Sequence, residues 1–406
     1  MSDGNRKMKQ VILHIGMHKT GTTTLQHALF GYSSRGVKYA SFSEENHSIP
    51  IYTIFSARRC DYHIWRRRGF TQSQVEGKRK KYLEVLEKDL KDKSCNRLII
   101  SGEDISLLSP DEQSSLIHWL RGRGVDIKVL ALVRSPISFA SSAAQELIKN
   151  RSKVLPVVNP DYRRRLEVFR QLLPQDAVVV DSYDEIMSAD RFISFFKKQM
   201  GVNIPEPKKM NRSMSLQAIC LVLALNNVHA EIDGTDEKVL ARNDILTSVF
   251  SIFSIENGCD SIGSKLGQSV VCENAGQEAL WLFDNFGIDF RDHCSPATSS
   301  PGAANDFKKP LHDHHEKLRT LFDLYKAEYR EDVDLSSQLL DLYVAVLLKR
   351  SIASAVNQIR DVALKIQRDP NGIELNDALS LMKVAGNLRP QGPLIHQKIR
   401  EWAKKC

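Results

Sequence analysis

Residues 14–26 read HIGMHKTGTTTLQ, and they overlap the end of a short apolar run, QVILHI (10–15). An apolar run, a glycine-containing turn and then helical spacing over 22–30 make a strand–turn–helix unit. Such a turn presents backbone N–H groups and the positive end of a helix to an anion. Lys19 brings a full charge to the same place, and the hydroxyls of Thr20, Thr22 and Thr23 add neutral donors beside Gly21. A plain threonine-capped turn would use the same residue types, so the meaning of the stretch depends on what surrounds it.

The unit recurs. NRLIIS (96–101), DIKVLALV (126–133) and AVVVDSY (177–183) read as strands buried on both faces. Between them, 78–91, Pro110–Arg121, Pro136–Lys149 and 162–173 carry helical patterns. One start is explicit: Ser109 as N-cap, Pro110 at the first helical position, and Asp111 and Glu112 in the first turn. Alternating strands and helices imply a mostly parallel sheet covered on both faces, with ligands at the carboxyl ends of its strands. Chemistry is therefore expected just after each strand.

Beyond FGIDFRDHC (286–294), the composition turns to SPATSSPGAAND, which reads as a linker over 295–310. Helical periodicity resumes in 335–350, 354–367 and 375–390. The expected organisation is a main domain over 8–293 and a small all-helical region of paired antiparallel helices over 311–406. That region is faintly similar to tetratricopeptide-type repeats, without their period of about 34 residues. It is read as an appendage for docking a protein partner or for self-association.

With 406 residues, about a quarter of them charged, the chain is of ordinary globular composition. A net charge of +8 would suit a nucleic acid, an anionic lipid surface or a small polyanion, and so decides nothing alone. The seven cysteines lack paired spacing, which argues against a disulfide framework and a zinc site. No stretch matches a signal-peptide core or a bilayer span. The expectation is a cytoplasmic protein with no membrane or nucleic-acid partner and no metal.

The order of residues in the turn matters more than its composition. A Walker A loop ends in Gly-Lys-Ser/Thr, whereas here the lysine comes first, as Lys19-Thr20-Gly21-Thr22-Thr23. HKTGTTTLQ resembles the 5′-phosphosulfate-binding loop of sulfotransferases that use 3′-phosphoadenosine-5′-phosphosulfate (PAPS). The resemblance implies Lys19 as electrophilic catalyst at the bridging oxygen, with Thr20, Gly21, Thr22 and Thr23 around the 5′-phosphate. LALVRSPISFASSAAQE (130–146) is similar to the family's 3′-phosphate motif. Arg134 leaves a strand end, and Ser142 lies eight positions on in the next helix. A guanidinium fork and a hydroxyl suit a phosphate.

VVVDSYDEI (178–186) and NRSMSLQAICLVLALN (211–226) resemble further segments of bacterial members, so the likeness spans roughly 8–293. Arg212 and Ser213 would then close over the 3′-phosphate, although a capped helix start explains them equally well. The fold class implied is α/β: a P-loop-type parallel sheet with helices on both faces, plus the all-helical C-terminal region.

Transfer of a sulfuryl group needs positioning, charge and a base. LIISGEDIS (98–106) places Glu103 just past a strand, with Asp104 as the nearer alternative; helix-capping acids would look the same. Several carbohydrate sulfotransferases use a glutamate in this role. His18 lies inside the loop, and His14 reads as a core residue. HDHHE (312–316) reads as a solvated helix face rather than a metal site. RRCDYHIWRRRGFTQSQVEGKRKK (58–81) interleaves cations with Tyr62, Trp65 and Phe70. That mixture would suit a carbohydrate hydroxyl acceptor, with aromatics on the sugar faces, or a nucleic acid, and a solvated basic loop followed by an amphipathic helix over 78–91 explains it equally well. The competing readings are a P-loop kinase and a non-catalytic scaffold.

Overall fold

The computed structural model describes residues 8–204, 214–230, 236–253, 272–293, 311, 314–367 and 375–404. Its sheet is built from β1 (Gln10–His14), β2 (Ser33–Ser34), β3 (Val37–Tyr39), β4 (Arg97–Ser101), β5 (Asp126–Val133) and β6 (Val178–Ser182). The spatial order is β2-β3-β4-β1-β5-β6, and every pairing is parallel except the short β2–β3 hairpin. Gln10 of β1 lies opposite Arg97 on one side and Asp126 on the other. The chain leaves β1 toward one edge and, after β4, crosses to the other. The carboxyl end of β1 is thus the topological switch point, where such sheets hold ligands.

Alternation along the strands sorts the core into two layers. Val11, Leu13, Leu98, Ile100, Val129 and Ala131 face one core, and Ile12, Ile99, Leu130 and Leu132 face the other. The first layer is closed by α2 (Ser48–Phe55), α4 (Gln72–Lys91), α5 (Pro110–Arg121) and α7 (Tyr162–Leu172). The second is closed by α1 (Thr22–Leu29), α8 (Tyr183–Ser188) and α9 (Phe192–Met200). The short α3 (His63–Arg67) precedes α4, and α6 (Pro136–Lys149) follows β5. The mixed α/β fold with helices on both faces is therefore as the sequence pattern implies.

Local chemistry explains the helix starts. Ser109 and Glu112 form a reciprocal capping box at α5, with Pro110 just inside. Thr71 and Gln74 form another, so α4 begins at Gln72 rather than at the expected 78. At α6 the hydroxyl of Ser135 accepts the N–H of Ser138 at 3.2 Å.

Two compact units divide the described residues. One holds 8–147, 155–204 and 272–293, and the other holds 148–154, 214–230, 236–253, 311, 314–367 and 375–404. In the second unit, α10 (Leu216–Ala230) and α11 (Asp236–Ile252) group with the helices after 311, whereas the sequence divides at 293–311. The reason is visible in α10. Ile219, Cys220, Leu221, Val222 and Leu225 are all buried, and a helix that is apolar all round needs neighbours on every side. The expected break between 350 and 354 is absent. Leu335–Gln367 is one helix of 33 residues, because Ser351, Ile352 and Ala353 contain no glycine or proline to end it. It packs on Leu375–Leu388 through Val356, Ala363, Ala378 and Met382. The expected linker over 295–310 lies outside the described residues.

Candidate active site

The loop between β1 and α1 is shaped by backbone conformations that few residues accept. Gly16 sits at φ +50°, where an added Cβ would come within 2.8 Å of the Thr22 hydroxyl. Gly21, at φ +74°, caps α1, and a Cβ there would come within 2.8 Å of the Phe192 ring. Lys19 itself takes φ +69°, an unfavourable conformation for a side-chain-bearing residue and a kind of strain common at functional sites.

The threonines divide their work. Thr20 donates to the Met17 carbonyl at 2.6 Å and accepts the Met17 N–H at 3.3 Å, so its hydroxyl folds the loop upon itself. Thr23 is exposed at the first turn of α1. The Thr22 hydroxyl is buried and has no hydrogen-bond partner among the described residues. An unpartnered buried hydroxyl at a helix N-terminus that no side chain caps is the chemistry of an anion cradle.

Arg134, at the end of β5, reaches this loop. Its Nη1 donates to the Lys19 carbonyl at 3.3 Å, and its Nε donates to Asp184 at 3.3 Å. The guanidinium lies 5.3 Å from the centre of the Tyr183 ring. Asp184 also accepts the Ser135 N–H at 3.0 Å. The Tyr162 hydroxyl donates to the Arg134 carbonyl at 2.9 Å and accepts its N–H at 3.3 Å. Burial pushes that phenol well above its usual range, so it stays neutral. The Lys19 ammonium meets Glu146 of α6 at 3.1 Å. Ser142, half-buried, lies one turn earlier on that same helix face. Lys19, Arg134 and the Ser142 face of α6 are thereby brought together.

The two acids after β4 part company. Glu103 is half-buried and accepts from two neutral amides, Gln26 at 3.1 Å and Asn46 at 3.0 Å. Asp104 is buried and accepts from the Tyr62 hydroxyl at 2.5 Å and from His18 Nε2 at 2.9 Å. Burial raises the Asp104 pKa, but the His18 and Tyr62 contacts outweigh it and hold the carboxyl below its usual range. Arg165 Nη1 donates to His18 Nδ1 at 3.3 Å. A guanidinium can only donate, so Nδ1 keeps the lone pair and Nε2 carries the hydrogen given to Asp104.

His14 is a buried core residue whose Nδ1 lies 2.7 Å from the Ser101 hydroxyl, and burial pushes it down to about 3. Trp65 is fully buried on Thr53 and Tyr62 is a core residue, so neither can be the sugar platform expected of the 58–81 segment. Branched and aromatic residues are claimed there by the core before any ligand. Arg66, Arg67 and Arg68 remain exposed. His315 pairs with the Tyr329 hydroxyl at 2.7 Å, and no metal-binding group of His, Cys, Asp or Glu occurs among the described residues. His312, Asp313, Arg212 and Ser213 lie outside those residues.

Sequence reasoning passed over Asp184, Glu146 and Arg165. Glu146 stands four places after Ser142, a spacing that signals a shared helix face. Arg165 interrupts the apolar stripe Tyr162, Leu166, Phe169, and a charge in that register is itself a signal.

No family model matches the chain, and no curated protein does. Among solved structures the chain is similar to a sulfotransferase from Alicyclobacillus acidocaldarius, at 11% identity and a TM-score of 0.34, over 53% of this chain and 91% of that one. Among the described residues, no helix is long and apolar enough to cross a membrane.

Proposed function

We propose that this chain is a PAPS-dependent sulfotransferase acting on a hydroxyl acceptor, with a carbohydrate as the acceptor class. The observation that carries the reading is the hydrogen bond from Arg134 to the Lys19 carbonyl. It unites two motifs from distant parts of the chain on one strand-end surface, beside the unpartnered hydroxyl of Thr22.

In this reading the amides and hydroxyls from Thr20 to Thr23 hold the donor's 5′-phosphate. Arg134 and Ser142 hold the 3′-phosphate, with Arg134 exchanging Asp184 for it. The acceptor oxygen attacks sulfur in line, and the bond from sulfur to the bridging oxygen breaks. Lys19 stabilises the charge that develops on that oxygen. Glu103 takes the acceptor proton, and adenosine 3′,5′-bisphosphate leaves. Both carboxylates accept two hydrogen bonds, but Glu103 is half-buried and held by neutral amides, whereas Asp104 is buried on Tyr62 and His18, so Glu103 suits the role better. A cytoplasmic location, and helices after 311 that dock a partner or a second copy, complete the proposal.

Calorimetric titration with adenosine 3′,5′-bisphosphate and with ADP, each with and without Mg²⁺, tests it. Metal-independent binding of the bisphosphate alone is expected. Binding of ADP only, and only with Mg²⁺, would make the loop a kinase loop and end this reading.

A further inference from the structure

Two of the three cations held around the loop have a carboxylate partner: Glu146 serves Lys19, and Asp184 serves Arg134. Arg165 differs. It is 7% exposed, yet among the described residues no carboxylate lies within ion-pair distance of it. Its one side-chain hydrogen bond goes to an imidazole nitrogen, His18 Nδ1, and its Nε is buried with no partner among the described residues. The remaining neighbour is the Phe139 ring, 5.6 Å from the guanidinium carbon. Burying an uncompensated charge is costly, and arginine does not escape the cost by losing its proton. Burial does push its pKa down, with Arg164 adding to that and Tyr162, Asp161 and Asp104 working against it.

The location is as telling as the missing partner. Tyr162 and Arg165 lie on one face of α7, three positions apart. The first holds the backbone of Arg134, and the second holds the residue immediately before Lys19. Through His18, Arg165 also borders Asp104 at the end of β4. Its guanidinium therefore stands among the ends of β1, β4 and β5, on the side of the loop that carries Lys19.

We infer that Arg165 is the binding residue for an oxyanion that enters this site, a group its own protein surroundings do not supply. The inference rests on the donor reading for the identity of the ligand. The oxyanion is either the sulfuryl group of PAPS or an acidic group on the acceptor, a carboxylate or a sulfate. Each presents a pair of oxygens that a guanidinium fork can bind with two parallel hydrogen bonds.

The test uses the full chain with Arg165→Met and Arg165→Lys, titrated with adenosine 3′,5′-bisphosphate, with PAPS, and with inorganic sulfate both alone and over saturating bisphosphate. In the Met variant, bisphosphate affinity should stay within about twofold of wild type, while affinity for PAPS or for inorganic sulfate falls about tenfold or more. Loss in the PAPS arm assigns the sulfuryl group. Loss of sulfate binding with PAPS unaffected assigns the acceptor. The Lys variant, which keeps charge without the fork, should fall between. The ligand-free thermal midpoint of the Met variant should equal or exceed that of wild type, because a buried unpaired charge is removed. Equal binding of PAPS and sulfate by Met variant and wild type would overturn the inference. So would a lowered midpoint together with lost bisphosphate binding, which would mark a structural arginine. Should wild type bind no bisphosphate, the donor reading fails, and the sulfate-alone comparison still decides Arg165.

Discussion

The ammonium of Lys19 lies 3.1 Å from the carboxylate of Glu146, with the lysine side chain 29% and the glutamate side chain 47% exposed. In the proposed function a donor phosphosulfate takes Glu146's place at that ammonium. Half-exposed pairs of this kind contribute about 0.2–1 kcal/mol. Glu146→Gln should therefore tighten adenosine 3′,5′-bisphosphate binding by up to about fivefold, read by calorimetry. Weaker binding would instead mean that the pair positions the lysine.

Removing the charge altogether should act on the transition state. Lys19→Ala is expected to lower turnover of PAPS by about 10²–10³ while the thermal midpoint holds, since the side chain is largely outside the core. Turnover like that of wild type would take the lysine out of the mechanism.

If Arg134 holds the 3′-phosphate as proposed, Arg134→Ala removes a charge-assisted hydrogen bond of about 1.5–3 kcal/mol. The preference for adenosine 3′,5′-bisphosphate over adenosine 5′-monophosphate should fall by about ten- to a hundredfold. An unchanged preference, measured by competition, would place the 3′-phosphate elsewhere.

The two carboxylates should separate cleanly. Glu103→Gln keeps the side chain's size, leaves one of the two amide donors of Gln26 and Asn46 without its acceptor, and should abolish transfer while sparing donor affinity. Asp104→Asn disturbs a buried partner of Tyr62 and His18, and should lower the unfolding midpoint in urea. Full transfer activity in Glu103→Gln, with Asp104→Asn inactive but folded, would reverse the assignment of the base.

Acid should weaken the fold through two buried imidazoles. His14 is buried against Ser101, and His47 accepts the Ser101 N–H at 3.2 Å; burial pushes both down to about 3. Their unfolded value is about 6.5, so the unfolded chain binds protons first as pH falls. The stability they contribute is whole above pH about 6.5 and is lost as pH falls toward about 3, at about 1.4 kcal/mol per unit for each histidine. Urea melts at pH 7.5 and 5.5 read this directly. His47→Gln should flatten the dependence, and an unchanged slope would remove His47 from it.

Much of the candidate site is legible in the sequence because its signals are local. The Lys19 loop, Arg134 and Ser142 each follow a strand that is visible as an apolar run, and Glu103 follows another. What escaped reading were partners rather than positions. Asp184 and Glu146 acquire their roles only by facing cations from other elements, across 50 and 127 residues. The three-residue strand β3 is too short to show a period, and it is held by pairing with β4 rather than by its own pattern.

By itself the sequence determined the alternation of strand and helix, the two-sided burial of the sheet, the caps at Ser109, and the lysine-first turn. These follow from spacing and short-range chemistry, which a linear pattern records in full. Only the tertiary structure decided the strand order, the burial of Trp65 and Tyr62, the joining of 335–367 into one helix, and the isolation of Arg165. Each depends on which surfaces meet across long stretches of chain. There, desolvation and charge compensation outweigh any local preference.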